Sequence, residues 1–180
     1  MNATTESLLI TVVAVLGTLI SALLAQRQAH RSLSEELNRL ERRSSTESNR
    51  ATYTALNTAA RRYVAALTDQ LHALRGAGDT ARAAEDLRAT TEDLRRARAT
   101  HADCYAEIQL IAPAPVLAAA QEVNHTLNAA YGVLMRLTTA TAAPEETPAS
   151  AQARITDLWE TTLPALRTAM RRDLRLDPDA

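Results

Sequence analysis

The stretch that decides the architecture of this chain is residues 7–25, SLLITVVAVLGTLISALLA, which contains no charged side chain. An α-helix of about 20 apolar residues is long enough to cross the ~30 Å hydrocarbon core of a bilayer. A helix also satisfies its own backbone hydrogen bonds there, where no water is present to do so. The sequence therefore predicts one transmembrane helix over residues 7–25.

The charges on either side of this run predict its orientation in the cell membrane. Residues 1–6, MNATTE, carry one charge, Glu6. The other flank carries the juxtamembrane arginines Arg27, Arg31, Arg39, Arg42 and Arg43. Arginine-rich flanks stay in the cytoplasm and contact lipid headgroups, so we expect residues 1–6 outside and everything after the span inside. A cleaved signal peptide is the alternative, but its basic n-region is missing.

Small side chains share one face of the predicted span, at 100° per residue. They are Thr11, Ala14, Gly17, Thr18, Ser21, Ala22 and Ala25. Small residues four positions apart let two helices approach closely in lipid. This face predicts self-association or docking on another membrane protein. The alternative is that these residues simply fill a hydrophobic helix.

A helical stalk is predicted over residues 26–49, where Leu33, Leu37 and Leu40 form a short apolar stripe. This stripe is typical of an amphipathic stalk. A parallel coiled coil that continues a membrane dimer is the alternative, although the stripe is shorter than three heptads.

Four further helical segments predict an antiparallel four-helix bundle over residues 50–175. The first has an apolar face that runs from Tyr53 to Leu74, and the others are expected over Thr80–Ile111, from Pro115 to about Thr139, and over about Ala151–Leu174. We expect a loop over Thr141–Ser150, an apolar face in the last helix that includes Trp159, and a kink or split at Pro164. Residues 176–180 are expected to fray. The predicted fold class is all-α throughout.

Composition narrows the classes of function. The formal charge is −1, and Cys104 is the one cysteine, so no internal disulfide can form. A near-neutral charge argues against a dedicated nucleic-acid binder, which is expected to be basic. Every basic residue other than the histidines is arginine, and phenylalanine is absent. We therefore expect a thin core built mainly of Leu, Ala, Val and Ile.

The search for catalytic chemistry finds no glycine-rich phosphate loop, no GxSxG elbow and no HExxH pair. The nearest constellation is His101, Asp103, Cys104 and Glu107, with His125 on the next helix. A zinc site needs about four converging ligands, so a core or boundary histidine is the better interpretation of His101. Tyr63 and Tyr131 are expected to anchor packing, with their hydroxyls at the bundle edge. We predict no enzyme activity, no cofactor, no metal site and no small-molecule substrate.

Three segments carry a resemblance to a known family. They are VVAVLGTLISALLAQRQAHR at 12–31, RRYVAALTDQLHAL at 61–74 and YAEIQLIAPAPVLAAAQEVNHTL at 105–127. In this order, after a nearly uncharged N-terminus, they resemble the KilB-type plasmid-spread proteins, which are small membrane-anchored helical proteins of mycelial actinobacteria. The resemblance covers most of residues 7–140 and has no catalytic signature.

The resemblance implies a role in conjugative plasmid transfer or spread at the membrane, through contacts with other transfer or spread proteins. The leading hypothesis is therefore a non-enzymatic membrane adaptor. A chromosomal envelope or cell-division scaffold of the same architecture is one alternative. A ligand-responsive or metal-responsive membrane sensor is another, and it needs His101, Cys104 and His125 to converge.

Overall fold

The computed structural model describes residues 46–76 and 80–176, and those from Glu47 onward belong to one compact unit. The predicted span, its small-residue face, the juxtamembrane arginines and the stalk up to residue 45 lie outside the described residues. In the described part of the chain, no helix is both long enough and apolar enough to cross a membrane.

The described residues are all helical apart from short connections, which confirms the predicted all-α bundle. The helix α1 covers residues 46–76. It is followed by α2 (Ala81–Ile111) and α3 (Ala114–Thr138). The last helical rod consists of α4 (Pro148–Asp157), a π-helical turn (Leu158–Thr162) and α5 (Leu163–Asp173).

Contacts along α1 give the direction of the other helices. Near its start, the Thr52 hydroxyl donates to the Glu107 carboxylate at 3.0 Å, close to the end of α2. Near its end, the Arg75 guanidinium donates to the Pro148 carbonyl at 3.2 Å, at the start of α4. Both α2 and the last rod are therefore antiparallel to α1, as an up-down bundle with short loops requires.

The core consists of apolar side chains from every helix, and α1 and α3 contribute most of them. The largest fully buried side chains are Tyr63, Leu56, Leu67, Leu71, Leu94, Ile108, Leu127, Leu134, Ile155, Leu158, Leu163 and Leu166. The predicted face of α1 is confirmed from Tyr53 to Leu71. Leu74 is only partly buried, because it lies near the end of that helix.

The helix α2 buries much less of its surface than the sequence predicted. Its buried residues are Leu94, His101 and Ile108, spaced seven apart. The spacing of apolar residues over 80–111 predicts an apolar face that includes Ala84 and Ile111, but both are exposed. One fully buried position in every two turns is a narrow seam, and partly buried residues such as Ala97, Cys104 and Tyr105 flank it.

The last helical rod begins earlier than predicted, because its start is capped. The Thr147 hydroxyl accepts from the Ser150 N–H at 3.1 Å, and the Ser150 hydroxyl accepts from the Thr147 N–H at 3.0 Å. This reciprocal pair satisfies two backbone donors at the helix start. Pro148 follows the cap at the first helical position, which its fixed φ favours. The predicted loop over Thr141–Ser150 was therefore too long at its end.

The kink or split predicted at Pro164 takes the form of the π-helical turn, which lies one turn before the proline. There the Leu163 N–H bonds to the Leu158 carbonyl, five residues back. Proline lacks an N–H and crowds the preceding turn, which a wider turn relieves. The turn directs Leu158 and Thr162 into the core, whereas Trp159 is 37% exposed. The expectation that Trp159 belongs to the apolar face was therefore wrong.

Candidate functional site

The most developed concave site lies between α2 and α3, and we call it the α2–α3 cleft. Its volume is about 440 Å³. Its polar lining residues are Arg95, Arg98, His101, Tyr105, Gln109, Asn124, Asn128 and Tyr131. The cleft exists because α2 presents the short side chains of Ala99, Ala102 and Ala106 to it. A cleft of this size lies within the range of ligand sites in proteins, roughly 300–1,000 Å³.

The base of the cleft is an aromatic cluster. The His101 ring lies 5.7 Å from the Tyr63 ring, centroid to centroid, and stacks on the Tyr105 ring at 6.2 Å. Tyr63 also meets Tyr131 edge-on at 6.5 Å. His101 is buried in this cluster, at 2% exposure. The interpretation of His101 as a core histidine is therefore confirmed, but the further expectation that its ring is satisfied by hydrogen bonds is wrong for Nε2, which has no partner among the described groups.

Two buried polar atoms in this cluster have no hydrogen-bond partner among the described protein groups. They are the Tyr63 hydroxyl and Nε2 of His101. Tyr63 is fully buried, so its hydroxyl does not lie at the bundle edge as predicted, whereas Tyr131 is half-buried. Buried polar atoms in proteins are nearly always paired, which makes this pair unusual.

Burial keeps both groups neutral near pH 7. Burial lowers the pKa of the His101 imidazole to about 4. Burial also raises the pKa of the Tyr63 hydroxyl, and the nearby charge of Arg98 opposes this only in part. The base of the cleft therefore contains a neutral imidazole and a neutral phenol, which are able to donate and accept hydrogen bonds without carrying charge.

Arg98 forms one wall of the cleft and is held by two contacts. Its guanidinium carbon lies 4.6 Å from the Tyr131 ring centroid, and its Nε donates to Asn128 Oδ1 at 3.3 Å. Asn128 in turn donates to the Asn124 carbonyl at 2.8 Å, one turn earlier on α3. These contacts fix a cation, an aromatic face and two amides on one side of the cleft.

Sequence reasoning singled out His101 and Tyr131 but missed Arg98, Asn124 and Asn128. The sequence signal that could have identified the two asparagines was helical spacing. Asn124, Asn128 and Tyr131 occur at i, i+4 and i+7, which places them on one face of α3. Only the packing of α2 against α3 brings that face to Arg98.

The metal constellation proposed from the sequence does not assemble. His125 is exposed on α3, whereas His101 is buried. Burial raises the pKa of the Cys104 thiol, and the charges of Glu107 and Asp103 raise it further, which disfavours the thiolate that binds metal. Within residues 46–76 and 80–176, no group of three or more His, Cys, Asp or Glu side chains converges to hold a metal ion.

A second surface lies at the end of the bundle where residue 46 begins α1, and we call it the proximal end. The Tyr53 hydroxyl donates to Asp173 Oδ2 there, at 2.6 Å, so the end of α5 is also at this end. The large apolar side chains most exposed at the proximal end are Leu110, at 85%, and Leu176, at 52%; Ile111 is 40% exposed.

The described residues thus define the class of this protein as an all-α bundle with one polar cleft and one partly apolar end. Comparison of the chain with known protein families, with curated proteins and with solved structures finds no match. A helical bundle by itself hosts many functions, so function has to be argued from sites.

Proposed function

We propose that this chain is a non-enzymatic membrane-anchored adaptor that acts in conjugative plasmid transfer or spread. The observation that carries the proposal is the uncharged run at residues 7–25, which is followed by arginines and then by a helical bundle. The run anchors the chain in the cell membrane as a single-pass helix, with residues 1–6 outside and the bundle in the cytoplasm. The resemblance to KilB-type plasmid-spread proteins supplies the cellular process.

The exposed apolar residues at the proximal end support an adaptor that works through protein contacts. Leu110 and Ile111 are adjacent and both face solvent at the turn between α2 and α3. Partly exposed apolar patches with polar surroundings are typical of protein interaction sites. We assign this turn as the contact with a transfer or spread protein.

The membrane segment contributes lateral association and lipid contacts in this proposal. The small-residue face from Thr11 to Ala25 packs against a second copy or against another membrane protein. The juxtamembrane arginines from Arg27 to Arg43 hold anionic headgroups. The stalk over residues 26–49 connects this segment to the bundle.

The test is cross-linking in the native host, with a photoreactive amino acid at position 110 of the tagged full-length chain. We expect transfer or spread proteins to co-purify, and we expect deletion to impair plasmid transfer while plasmid replication continues. The double variant Leu110→Gln, Ile111→Gln should lose the cross-linked partner from a second probe at position 107. Thr58→Gln, on an exposed position of α1, is the matched control and should keep it.

Other outcomes separate the alternatives. Recovery of division or envelope proteins instead would replace the proposal with the chromosomal scaffold. Cysteine labelling that finds the bundle outside the cell would overturn the predicted orientation. A transfer rate unchanged by deletion would reject the role in plasmid spread.

A further inference from the structure

We propose that the α2–α3 cleft binds a small planar organic anion of the aromatic carboxylate class. This site goes beyond the adaptor function, since it needs neither the partner protein nor the membrane. The proposal rests on the charge of the lining residues, on the two tyrosines that line the cleft and on the unpaired Nε2 atom of His101, which also lines it.

The charge of the lining residues selects an anion. Arg95 and Arg98 are the charged residues that line the cleft, and no carboxylate lines it. Arg95 faces Glu92 at 3.8 Å. For Arg98, the described residues offer no carboxylate within ion-pair distance, and its recorded hydrogen bond uses Nε alone. The two Nη groups of Arg98 therefore remain for a carboxylate, whose two oxygens match the guanidinium fork.

The shape of the cleft selects a flat ligand. Tyr131 from α3 and Tyr105 from α2 both line the cleft, and the short side chains of the lining alanines of α2 leave space beside them. Aromatic rings pack well in offset or edge-on arrangements with such surfaces. A bulky or branched ligand would have to displace Tyr131, which already stacks with Arg98 at 4.6 Å.

The base of the cleft offers a hydrogen-bonding position beneath the ring. His101 lines the cleft, is 98% buried and leaves Nε2 without a partner among the described groups. Because Nε2 is itself buried, the imidazole ring has to turn toward the cleft before a ligand hydroxyl opposite the carboxylate can become its missing partner. Asn124 and Asn128 supply further amide groups along the side of the cleft.

The experiment uses the full-length chain in detergent micelles, with ¹⁵N and ¹³C in its histidine rings. The probe is 4-hydroxybenzoate, and we expect it to shift the His101 ring signals saturably, with a Kd on the order of 1 mM or tighter. The signals of exposed His72 and His125 serve as internal references and should stay in place. 4-Hydroxybenzamide, which keeps the ring and its hydroxyl but lacks the charge, should bind at least about tenfold more weakly.

Two variants of Arg98 assign the anion contact. Arg98→Gln should weaken 4-hydroxybenzoate binding by about tenfold or more, while Arg98→Lys should retain part of it because the charge remains. Arg88→Gln, at an exposed position of the same helix, is the matched control and should leave the Kd unchanged. Helix content from circular dichroism confirms that each variant is folded.

Three results would overturn the proposal. They are no saturable shift of the His101 signals, equal binding of 4-hydroxybenzamide and 4-hydroxybenzoate, and an unchanged Kd in folded Arg98→Gln. Each of these concerns the purified chain alone, so it leaves the adaptor function untouched. Loss of the cross-linked partner in the host likewise leaves the ligand site untouched.

Discussion

Two tyrosines on α1 illustrate how the surroundings of a hydroxyl decide whether it stabilises the fold. Tyr53 donates to Asp173 Oδ2 at 2.6 Å, which joins the start of α1 to the end of α5. Tyr63, three turns later, is fully buried and its hydroxyl has no partner among the described protein groups. A paired hydroxyl stabilises the fold, whereas an unpaired buried one costs free energy.

We therefore expect the substitution of each tyrosine by phenylalanine to have opposite effects. Tyr63→Phe should leave the free energy of unfolding unchanged or raise it by about 1 kcal/mol, because it removes an unpaired polar atom. Tyr53→Phe should lower it by about 1–2 kcal/mol, because it removes a hydrogen bond to a carboxylate. Urea unfolding of the full-length chain in detergent measures both, and a larger loss in Tyr63→Phe than in Tyr53→Phe would contradict the assignment.

The buried imidazole of His101 makes stability depend on pH. Its pKa in the folded chain is about 4, whereas an unfolded histidine titrates near 6.5. Between these values the unfolded chain binds a proton that the folded chain does not, so stability falls as pH drops from about 6.5 towards 4. From pH 7 to pH 5 this term amounts to about 2 kcal/mol.

His101→Phe should remove this pH dependence, and His125→Gln, which changes an exposed histidine, should keep it. The measurement is urea unfolding at pH 7 and at pH 5. The hydrogen bond from Arg136 lowers the pKa of the Glu146 carboxylate to about 2, and this pair loses its contribution only below about pH 4.5. It therefore does not interfere, and equal pH profiles for wild type and His101→Phe would refute the prediction.

At the scale of elements, one buried amide connects three helices. Gln70 on α1 is fully buried, and its Nε2 donates to the Thr91 hydroxyl of α2 at 3.1 Å and to the Thr138 hydroxyl of α3 at 2.9 Å. Its Oε1 accepts from the Thr90 hydroxyl at 2.7 Å. A fully satisfied buried network specifies one arrangement of the helices.

Gln70→Leu keeps a similar volume but removes these hydrogen bonds, and we expect it to lower the free energy of unfolding by about 1–3 kcal/mol. The two threonines that accept from Gln70 also donate to their own helix backbones, Thr91 to the Leu87 carbonyl at 2.7 Å and Thr138 to the Leu134 carbonyl at 2.8 Å, which limits the loss. Gln121→Leu, at an exposed position of α3, is the matched control and should change stability by less than about 0.5 kcal/mol. A variant at position 70 as stable as wild type would show that the network adds no net stability.

At the scale of the whole molecule, the helices differ in how many of their side chains are buried. The helix α2 is 31 residues long but buries only Leu94, His101 and Ile108. The first of these lies in its fourth turn, so the turns before it have no fully buried side chain. By contrast, α3 buries seven residues from Val116 to Leu134. Local opening is easiest where few apolar contacts are lost.

Hydrogen exchange should therefore be faster in α2 than in α3, and fastest in the turns between Ala81 and Thr90. Mass spectrometry of the full-length chain in detergent resolves these peptides after proteolysis. The peptide around Val123 and Leu127 in α3, both buried, provides the protected reference. Equal protection of both regions would indicate that α2 opens only with the whole bundle.

Much of the bundle was predictable because caps, prolines and helical periodicity give a strong indication of a helix where they occur together. Thr80, where the sequence predicts this helix to begin, caps α2 through its hydroxyl, which accepts from the Ala83 N–H at 3.2 Å. The boundary near Pro148 was misplaced, because a proline after a threonine starts a helix as readily as it extends a loop. Trp159 was misplaced because helical periodicity assumes 3.6 residues per turn, and the π-helical turn departs from it.

The candidate cleft was much less predictable. His101 and Tyr131 stood out by residue type, but the cleft depends on which helices become neighbours. Arg98 is held in the cleft by contacts with Tyr131 and Asn128, which lie about thirty positions away along the chain. Spacing within one helix contains no information about such distances between helices.

The helical class and the approximate limits of the helices follow from the amino-acid order alone, because hydrophobic periodicity, caps and prolines act within a few residues. The narrow seam of α2, the burial of the Tyr63 hydroxyl without a partner among the described groups and the position of Arg98 against α3 follow only from the packed bundle. These features arise when helices pack against one another, since burial depends on contacts between residues that are distant in sequence.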